Sequence, residues 1–230
     1  MTRTKRKKKT DTKWRTPVRT SKEEIQEKAM DLFLRKGYHG TSTTELCEAI
    51  GISRPTLYWY FQDKEDILFS IHKDTIEKHI QPITARMQET KDPLVRLHVF
   101  IRMYARTMCL CPHPKVLINE TPYLAPEHEA WVRGKWSDVF RSVREAIREL
   151  KDEGKIKELP DLFTAFSLIG MVSWPYTWFD HSRPESLESL VETMEEIFFY
   201  GVLKPGISRH AHCREVDDVA HHRSEQSQGG

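Results

Sequence analysis

Residues 54–61 (Arg-Pro-Thr-Leu-Tyr-Trp-Tyr-Phe) carry an unusual set of side chains for a short helix. Leu57 and Phe61 lie four residues apart, so we expect both to pack inward. The side chains left facing outward are those of Arg54, Thr56, Tyr58, Trp59 and Tyr60. A helix in water rarely exposes so many rings, whereas a helix in the major groove of DNA can use arginine for guanine edges and rings for thymine methyl groups. The pattern favours a DNA recognition helix, and the alternative is the core of a bundle with no nucleic-acid role.

Two short helices are predicted before this segment from their terminal signals. Residues 21–24 (Ser-Lys-Glu-Glu) and 42–45 (Ser-Thr-Thr-Glu) have the capping-box pattern, in which a serine hydroxyl and a glutamate carboxylate bond each other's backbone N–H groups. Gly37 and Gly51 are expected to end the two helices in a left-handed conformation. Ser53 then caps the third helix, and the four-residue linker 51–54 is the turn of a helix-turn-helix.

Further helices are predicted along the rest of the chain. Asp63 caps a helix that runs without interruption to about residue 80, and apolar spacing predicts others at 94–104, 132–150, 161–179 and 186–203. Breaks are expected at Pro82, Pro93, residues 111–114 (Cys-Pro-His-Pro) and Pro175, and a loop between Pro122 and Pro126. The predicted fold class is therefore all-α: an N-terminal three-helix helix-turn-helix domain and a C-terminal helical domain.

Charge divides the chain into unequal parts. Residues 1–20 hold nine Lys and Arg against Asp11 alone, a net charge of +8, and the remaining 27 basic and 33 acidic residues give −6. A basic arm before an acidic body suggests that the arm meets a polyanion; a solubilising tail or a nuclear localisation signal are alternatives. We predict a disordered arm at 1–20, a DNA-binding domain at 21–68, a second domain at 69–204 and a disordered tail at 205–230.

Several classes of protein are excluded by absent patterns. No apolar run approaches the roughly 20 residues of a membrane helix, and the basic N-terminus has no apolar stretch behind it. Four cysteines without a Cys-x-x-Cys pair indicate a reducing, cytoplasmic setting. The tail residues His210, His212 and Cys213, with His221 and His222, could bind a metal, but we predict no metal site and no cofactor. Without a Gly-rich phosphate loop, a nucleophile elbow or a His-Glu metal helix, we expect no enzyme.

The chain resembles the tetracycline-repressor (TetR) family without gaps over residues 25–70. The resemblance lies in residues 38–42 (Tyr-His-Gly-Thr-Ser), 45–53 (Glu-Leu-Cys-Glu-Ala-Ile-Gly-Ile-Ser), 56–61 and 64–68 (Lys-Glu-Asp-Ile-Leu), with Cys47 in place of the usual small alanine. It implies a transcriptional repressor that binds double-stranded operator DNA as a homodimer. The positions that the resemblance and the helix pattern assign to DNA contact are Thr41, Thr43, Ser53, Arg54, Pro55, Thr56, Tyr58, Trp59, Tyr60 and Lys64.

Within that set the resemblance assigns different roles. Thr41, Tyr60, Lys64 and the caps of the second and third helices would contact phosphate, and the start of the third helix would contact bases. The C-terminal domain would bind an effector and form the dimer through its last two long helices. We expect the apolar dimer contact at Leu187, Leu190, Val191, Met194, Ile197, Phe198 and Val202.

The effector is expected to be a small hydrophobic molecule, because aromatic and Met residues are concentrated in the C-terminal domain. The predicted pocket residues are Met103, Tyr104, Met108, Trp136, Met171, Trp174 and Trp178. Residues 170–179 partly resemble a segment of members that sense acyl-CoA or steroid-CoA thioesters, with departures at Ser173 and Pro175. Basic side chains that could hold CoA phosphates, or could lie on solvated faces, are Arg102, Arg106, Arg133, Lys135 and Arg141. A hydrophobic drug, an aromatic metabolite and a ligand-independent architectural DNA binder remain alternatives.

Overall fold

The computed structural model describes residues 20–111, 113–180, 183 and 186–207, so nearly all of the basic arm and most of the tail, with its histidines, lie outside the described residues. The fold is all-α, as predicted, and the described ranges contain one isolated β-bridge between Ile156 and Leu203 but no named strand. The helices are α1 Lys22–Lys36, α2 Thr43–Ile50, α3 Arg54–Tyr60, α4 Lys64–Thr75, α5 Gln81–Glu89, α6 Pro93–Leu110, α7 His113–Glu120, α8 Pro126–Asp152, α9 Asp161–Ser173 and α10 Ser186–Val202.

The predicted helix ends are confirmed with two corrections. The Ser42 hydroxyl accepts the Glu45 N–H and the Glu45 carboxylate accepts the Ser42 N–H, which completes the second capping box. The first box is only half formed. The Ser21 hydroxyl accepts the Glu24 N–H, but the Glu24 carboxylate accepts a hydrogen bond from the Thr20 hydroxyl instead of from the Ser21 N–H. Gly51 is left-handed, whereas Gly37 combines a positive φ of 73° with a ψ of 164° and so leaves the helix in a more extended conformation.

Pro82 does not break the chain as predicted. Residues 76–80 form a π-helical turn that joins α4 to α5, and the Gln81 N–H donates to the Ile76 carbonyl five residues back. Pro82 therefore falls in the first turn of α5, where the absence of its N–H costs little. The connector from Lys64 to Glu89 is one continuous helical segment with a wider turn in its middle.

The proline-rich stretch after α6 also contains more helix than predicted. Residues 113–120 form α7, and Thr121–Tyr123 form one 3-10 turn, where the sequence suggested a break and a loop. Pro114 is only the second residue of α7, a position that needs no N–H donor within the helix. The buried side chain of Val116 ties α7 to the core, and α7 packs against both α1 and α4.

One continuous apolar core runs through the molecule. In the N-terminal part, which we call the head (residues 20–68), its largest buried side chains include Phe33, Leu57 and Phe61. In the remainder, which we call the body, α6 is central and packs against α5, α8, α9 and α10. Helix α4 passes through the predicted boundary at residue 68, so head and body share a helix rather than a linker.

Candidate nucleic-acid interface and effector region

Helix α3 presents its rings outward, as predicted. Leu57 and Phe61 are buried in the head, whereas Tyr58 is 47% and Trp59 77% exposed. The Trp59 ring meets the ring of Tyr60 edge-on, with centroids 4.6 Å apart. Two exposed rings leave a large apolar area in water for a helix of only seven residues. Such an area is typical of a surface that binds a partner.

The first turn of α3 is held by side chains of its own cap and of α2. The Ser53 hydroxyl oxygen accepts the Thr56 N–H at 3.3 Å and lies 2.8 Å from the Thr56 hydroxyl. The Arg54 guanidinium donates to the hydroxyl of Thr44 on α2. Arg54, Ser53 and the adjoining Pro55 are exposed, so this corner is accessible to a groove or a phosphate. Thr43, at the start of α2, is half-buried.

Two residues predicted at this surface have their hydroxyls engaged elsewhere. Thr41 is 1% exposed, its hydroxyl donates to the Gly37 carbonyl at 3.0 Å, and its N–H donates to Tyr38. Thr41 therefore closes the loop before α2 and has little surface to offer a phosphate in this conformation. The Tyr60 hydroxyl donates to the carbonyl of Thr20 at 2.6 Å, which fixes the start of α1 against α3.

Lys64 also supports the loop before α2. Its ammonium donates to the carbonyls of Tyr38 and Thr41, both at 2.9 Å, and lies 4.1 Å from the centroid of the Tyr38 ring. Burial lowers the pKa of Lys64, against the opposing effect of the Glu120 carboxylate. The first residue of α4 thus holds the loop that positions α2, a role that sequence reasoning did not assign to it.

The next residue joins α4 to the body. The Glu65 carboxylate accepts the Ala125 N–H at 2.8 Å, and so caps α8, whose N-cap residue offers no side-chain bond of its own. The same carboxylate lies 2.9 Å from His128 Nδ1, and the His128 ring stacks on Phe69 with centroids 3.7 Å apart. We call Glu65, Phe69, Ala125 and His128 the head–body junction. Sequence reasoning missed it, because its two halves are about 60 residues apart.

The predicted effector residues separate into two groups. Tyr104 is buried, its ring lies 6.2 Å from that of Trp136, and its hydroxyl is 3.4 Å from that of Ser173. Burial raises the pKa of Tyr104 to about 12. Met103, Trp136 and Met171 are half-buried against the same core. These four residues lie on the packed helices α6, α8 and α9.

The other three predicted effector residues lie apart from this group, one inside the core and two at the surface. Met108 is fully buried in the core. Trp174 is 64% and Trp178 55% exposed, because α9 ends at Ser173 and a 3-10 turn that contains Pro175 directs these rings to the surface. The tryptophan pair is therefore a surface feature of this chain.

The basic side chains considered for CoA phosphates all have contacts within the chain. Arg102 makes two bonds of 2.9 Å to Glu195, and Arg106 contacts Glu188 at 2.7 Å. Burial tends to raise the pKa of Glu195, but hydrogen bonds from His98 and Arg102 hold it below its usual value. On α8, Arg133 pairs with Glu129, Arg141 pairs with Asp138, and Lys135 lies over the Trp131 ring.

An exposed apolar face lies on α9 and α10, but it is not the predicted one. Leu187, Val191, Met194, Phe198 and Val202 are buried in the core of the described chain, and Leu190 is half-buried. Of the predicted dimer residues only Ile197 is exposed. Apolar helical spacing does not tell which face meets the body and which meets a second chain. We call the exposed set the outer face: Leu162, Phe163, Phe166, Ile197 and Tyr200.

The described residues include no helix long and apolar enough to cross a membrane. Among the same residues, no group of three or more His, Cys, Asp or Glu side chains is arranged to hold a metal ion.

Comparison with known proteins identifies both parts of the chain. A family model described as bacterial regulatory proteins of the tetR family matches residues 25–71, and a model described as a tetracyclin repressor-like C-terminal domain matches residues 90–202. A curated relative from Staphylococcus aureus, the biofilm operon icaADBC HTH-type negative transcriptional regulator IcaR, is 25% identical over 165 residues, which is 66% of this chain and 81% of IcaR.

Solved structures give the same result. AibR, crystallised with isovaleryl coenzyme A and operator DNA, superimposes with a TM-score of 0.71 at 25% identity over 76% of this chain and 96% of AibR. FadR from Bacillus subtilis, crystallised with stearoyl-CoA, gives a TM-score of 0.63 at 20% identity over 79% of this chain and 99% of FadR. The likeness to FadR extends to the fold alone.

Proposed function

Because this chain belongs to the TetR family of DNA-binding transcriptional regulators, we propose that it is a repressor that leaves its operator when a small hydrophobic molecule binds the body. The exposed rings of α3 are the main support for the proposal that the chain binds operator DNA. The Tyr58 and Trp59 side chains face water, and Arg54 stands at the start of the same helix. Such a surface fits the major groove. Repression is supported by the similarity to IcaR, a negative regulator.

A homodimer is part of this proposal. A helix-turn-helix repressor reads two half-sites about 34 Å apart, which requires two recognition helices in one particle. The outer face supplies five large, exposed apolar side chains on two helices that contact each other, and so much apolar surface left in water favours a protein interface. The proposed occupant is a second copy of this chain, packed through α9 and α10.

The proposed effector is an acyl-CoA thioester. Its support is the similarity at 25% identity to AibR, which was crystallised with isovaleryl coenzyme A, together with the apolar surroundings of Tyr104. We place the acyl group beside Met103, Trp136 and Met171, where half-buried apolar side chains of three helices meet. A hydrophobic drug or an aromatic metabolite is the second candidate, because the same half-buried Met and Trp side chains would also suit it.

The head–body junction supplies a route from effector to DNA. Helix α8 carries Trp136 and begins at Ala125, whose N–H is held by Glu65 on the first turn of α4. Lys64, one residue earlier, holds the loop before α2. A displacement of α8 by the effector is therefore passed to the head, and by linkage the operator must weaken effector binding by the same factor, typically 5–150-fold.

The test begins with the selection of operator sequences from random duplexes by the full-length protein. Release from the selected duplex is then titrated with acyl-CoA thioesters of increasing chain length, with free CoA and with the matching fatty acids. We expect release by the thioesters only, with a preference for one range of chain length. Calorimetry of the active thioester with free and with operator-bound protein should give unequal affinities. Equal affinities would show that the ligand is structural and that the repressor mechanism is wrong.

A further inference from the structure

A groove between α1 and α4 has a composition that sets it apart from the DNA-binding surface. It has a volume of about 420 Å³, and its lining comes from α1, from α4 and from the π turn that follows α4. Four of the lining residues are acidic, namely Glu23, Glu27, Asp31 and Asp74, and one, Lys78, is basic. Met30 and Ile71, both almost fully buried, form its apolar floor. We call it the acidic groove.

Three acidic side chains of α1 make no ion pair within the described residues. Glu23, Glu27 and Asp31 recur every four residues and so form one row along the helix. None of the three makes an ion pair within the ranges that the structure describes, whereas Asp74 pairs with Lys78 at 2.6 Å. Like charges at this spacing destabilise a helix, so the row is unfavourable unless a cationic group lies against it.

A buried amide gives an independent sign of a missing occupant. Gln26 lines the acidic groove and is only 8% exposed, yet its side chain makes no hydrogen bond within the part of the chain described. Its amide atoms keep some contact with the solvent of the groove, so they can bond a segment that enters it. Its position between the acidic row and the apolar floor suits a bond to the backbone of an extended segment.

We propose that the acidic groove binds the basic arm of the same chain, residues 1–19, when DNA is absent. The arm carries nine basic side chains against Asp11, and its aliphatic stems and Trp14 match the apolar floor. This inference rests on the DNA-binding function and is independent of the effector.

The geometry allows the arm to reach the groove within one chain. Thr20 is fixed at the start of α1 by its bonds to Tyr60 and Glu24, and it precedes the N-terminal end of the acidic row. From Thr20 to Asp31 the helix rises about 16 Å. Nineteen extended residues span up to about 60 Å, so the arm can fold back along α1.

The consequence is competition between the acidic groove and DNA for the arm. In free protein the groove neutralises the arm and weakens its attraction to arbitrary DNA. At an operator the specific contacts of α3 add to those of the arm, so the arm leaves the groove. The groove thereby increases the ratio of specific to non-specific binding without touching DNA.

A double-mutant cycle on the full-length protein tests this, with a random duplex as the probe. The groove variant is Glu27→Gln with Asp31→Asn, and the arm variant is Lys7→Gln, Lys8→Gln and Lys9→Gln. With the native arm, the groove variant should bind random DNA about fivefold more tightly, the equivalent of two lost surface ion pairs. In the arm variant, the same groove substitutions should change the affinity little.

The matched control is Glu145→Gln with Glu192→Gln, an equal change of charge at exposed positions outside the groove. Equal effects of the groove substitutions in both arm backgrounds would mean that the carboxylates act by general repulsion of DNA, and the proposal would be wrong. Carbodiimide cross-linking without DNA gives a direct readout. We expect arm lysines joined to Glu23, Glu27 or Asp31 and lost on addition of duplex; cross-links spread evenly over the acidic residues would overturn the proposal.

Discussion

Tyr58 and Leu57 are adjacent on α3, yet substitution of Tyr58 should affect DNA binding and substitution of Leu57 should affect stability. Tyr58 faces water, so Tyr58→Ala should leave the melting temperature nearly unchanged. In the proposed complex its ring meets base edges, so its loss should weaken operator binding by about 1–3 kcal/mol with little effect on random DNA. Leu57→Ala, the buried control, should reduce the free energy of unfolding by about 2–5 kcal/mol. Anisotropy titrations and calorimetry measure both; equal losses on operator and random DNA would contradict the role of Tyr58.

Lys64 requires a different variant, because its ammonium bonds two loop carbonyls. Lys64→Met keeps the aliphatic stem and removes the donor. We expect a loss of about 1–3 kcal/mol in the free energy of unfolding and weaker binding to operator and random DNA alike.

The salt dependence of binding separates two roles for Lys64. A residue that positions the loop before α2 leaves the slope of affinity against salt unchanged. A slope reduced by about one counterion per subunit would instead place the ammonium on a phosphate, as the family resemblance implied.

Among elements, the head–body junction is the proposed route by which the body influences the head. Glu65→Ala removes the cap of α8 and the contact to His128. We expect this variant to bind operator, but with an effector–operator coupling factor reduced toward one. Glu127→Ala is a control at an exposed position in the same turn of α8. Unaltered coupling in Glu65→Ala would exclude the junction as the route.

The contact between α6 and α10 should make stability depend on pH. The pKa of Glu195 is held below its usual value near 4.5 in the folded chain by His98 and Arg102. A depressed pKa means that the stabilisation is fully present above the unfolded value and is lost as pH falls below it. Denaturant titrations at pH 7 and pH 4 should therefore show a deficit for Glu195→Gln that shrinks in acid. Exposed Glu192→Gln on the same helix should show none.

Helix ends were predictable where one residue determines them, as at Ser42, Ser53, Asp63 and Gly51. Prolines misled the prediction, because their effect depends on their place in the turn. Pro82 and Pro114 lie within the first two residues of α5 and α7 and break nothing. The sequence also indicated which rings of α3 face outward.

Contacts between distant segments could not be predicted in this way. The carbonyls that hold Lys64, the cap that Glu65 gives to α8 and the surface position of Trp174 all depend on how helices are arranged in space. Periodicity finds an apolar face but does not identify its partner, which is why five of the residues expected at the dimer contact are inside the body.

At the scale of the whole molecule, the outer face should determine the oligomeric state. Phe163→Glu with Ile197→Glu places two charges on exposed apolar positions, so it should leave the chain folded. We expect a dimer for the native protein and a monomer for this variant by light scattering at micromolar concentration, with loss of operator binding. Ile118→Glu, an exposed isoleucine on α7, is the control and should remain a dimer. A monomeric native protein would rule out the dimer.

The π turn at residues 76–80 determines how the side chains of α4 are rotated about the helix axis relative to those of α5. Each residue of an α-helix advances the side chains by about 100°, and a π turn absorbs one additional residue without changing the direction of the helix. Ile67 and Ile71 can therefore face the head while Ile83 and Met87, beyond the turn, face the body. Deletion of Lys78 would remove the additional residue and restore a regular helix, with both sets still facing their partners. We therefore expect this deletion to be tolerated, whereas the same shortening in the regular part of α4 would rotate one set by roughly 100° and misorient the heads of the proposed dimer.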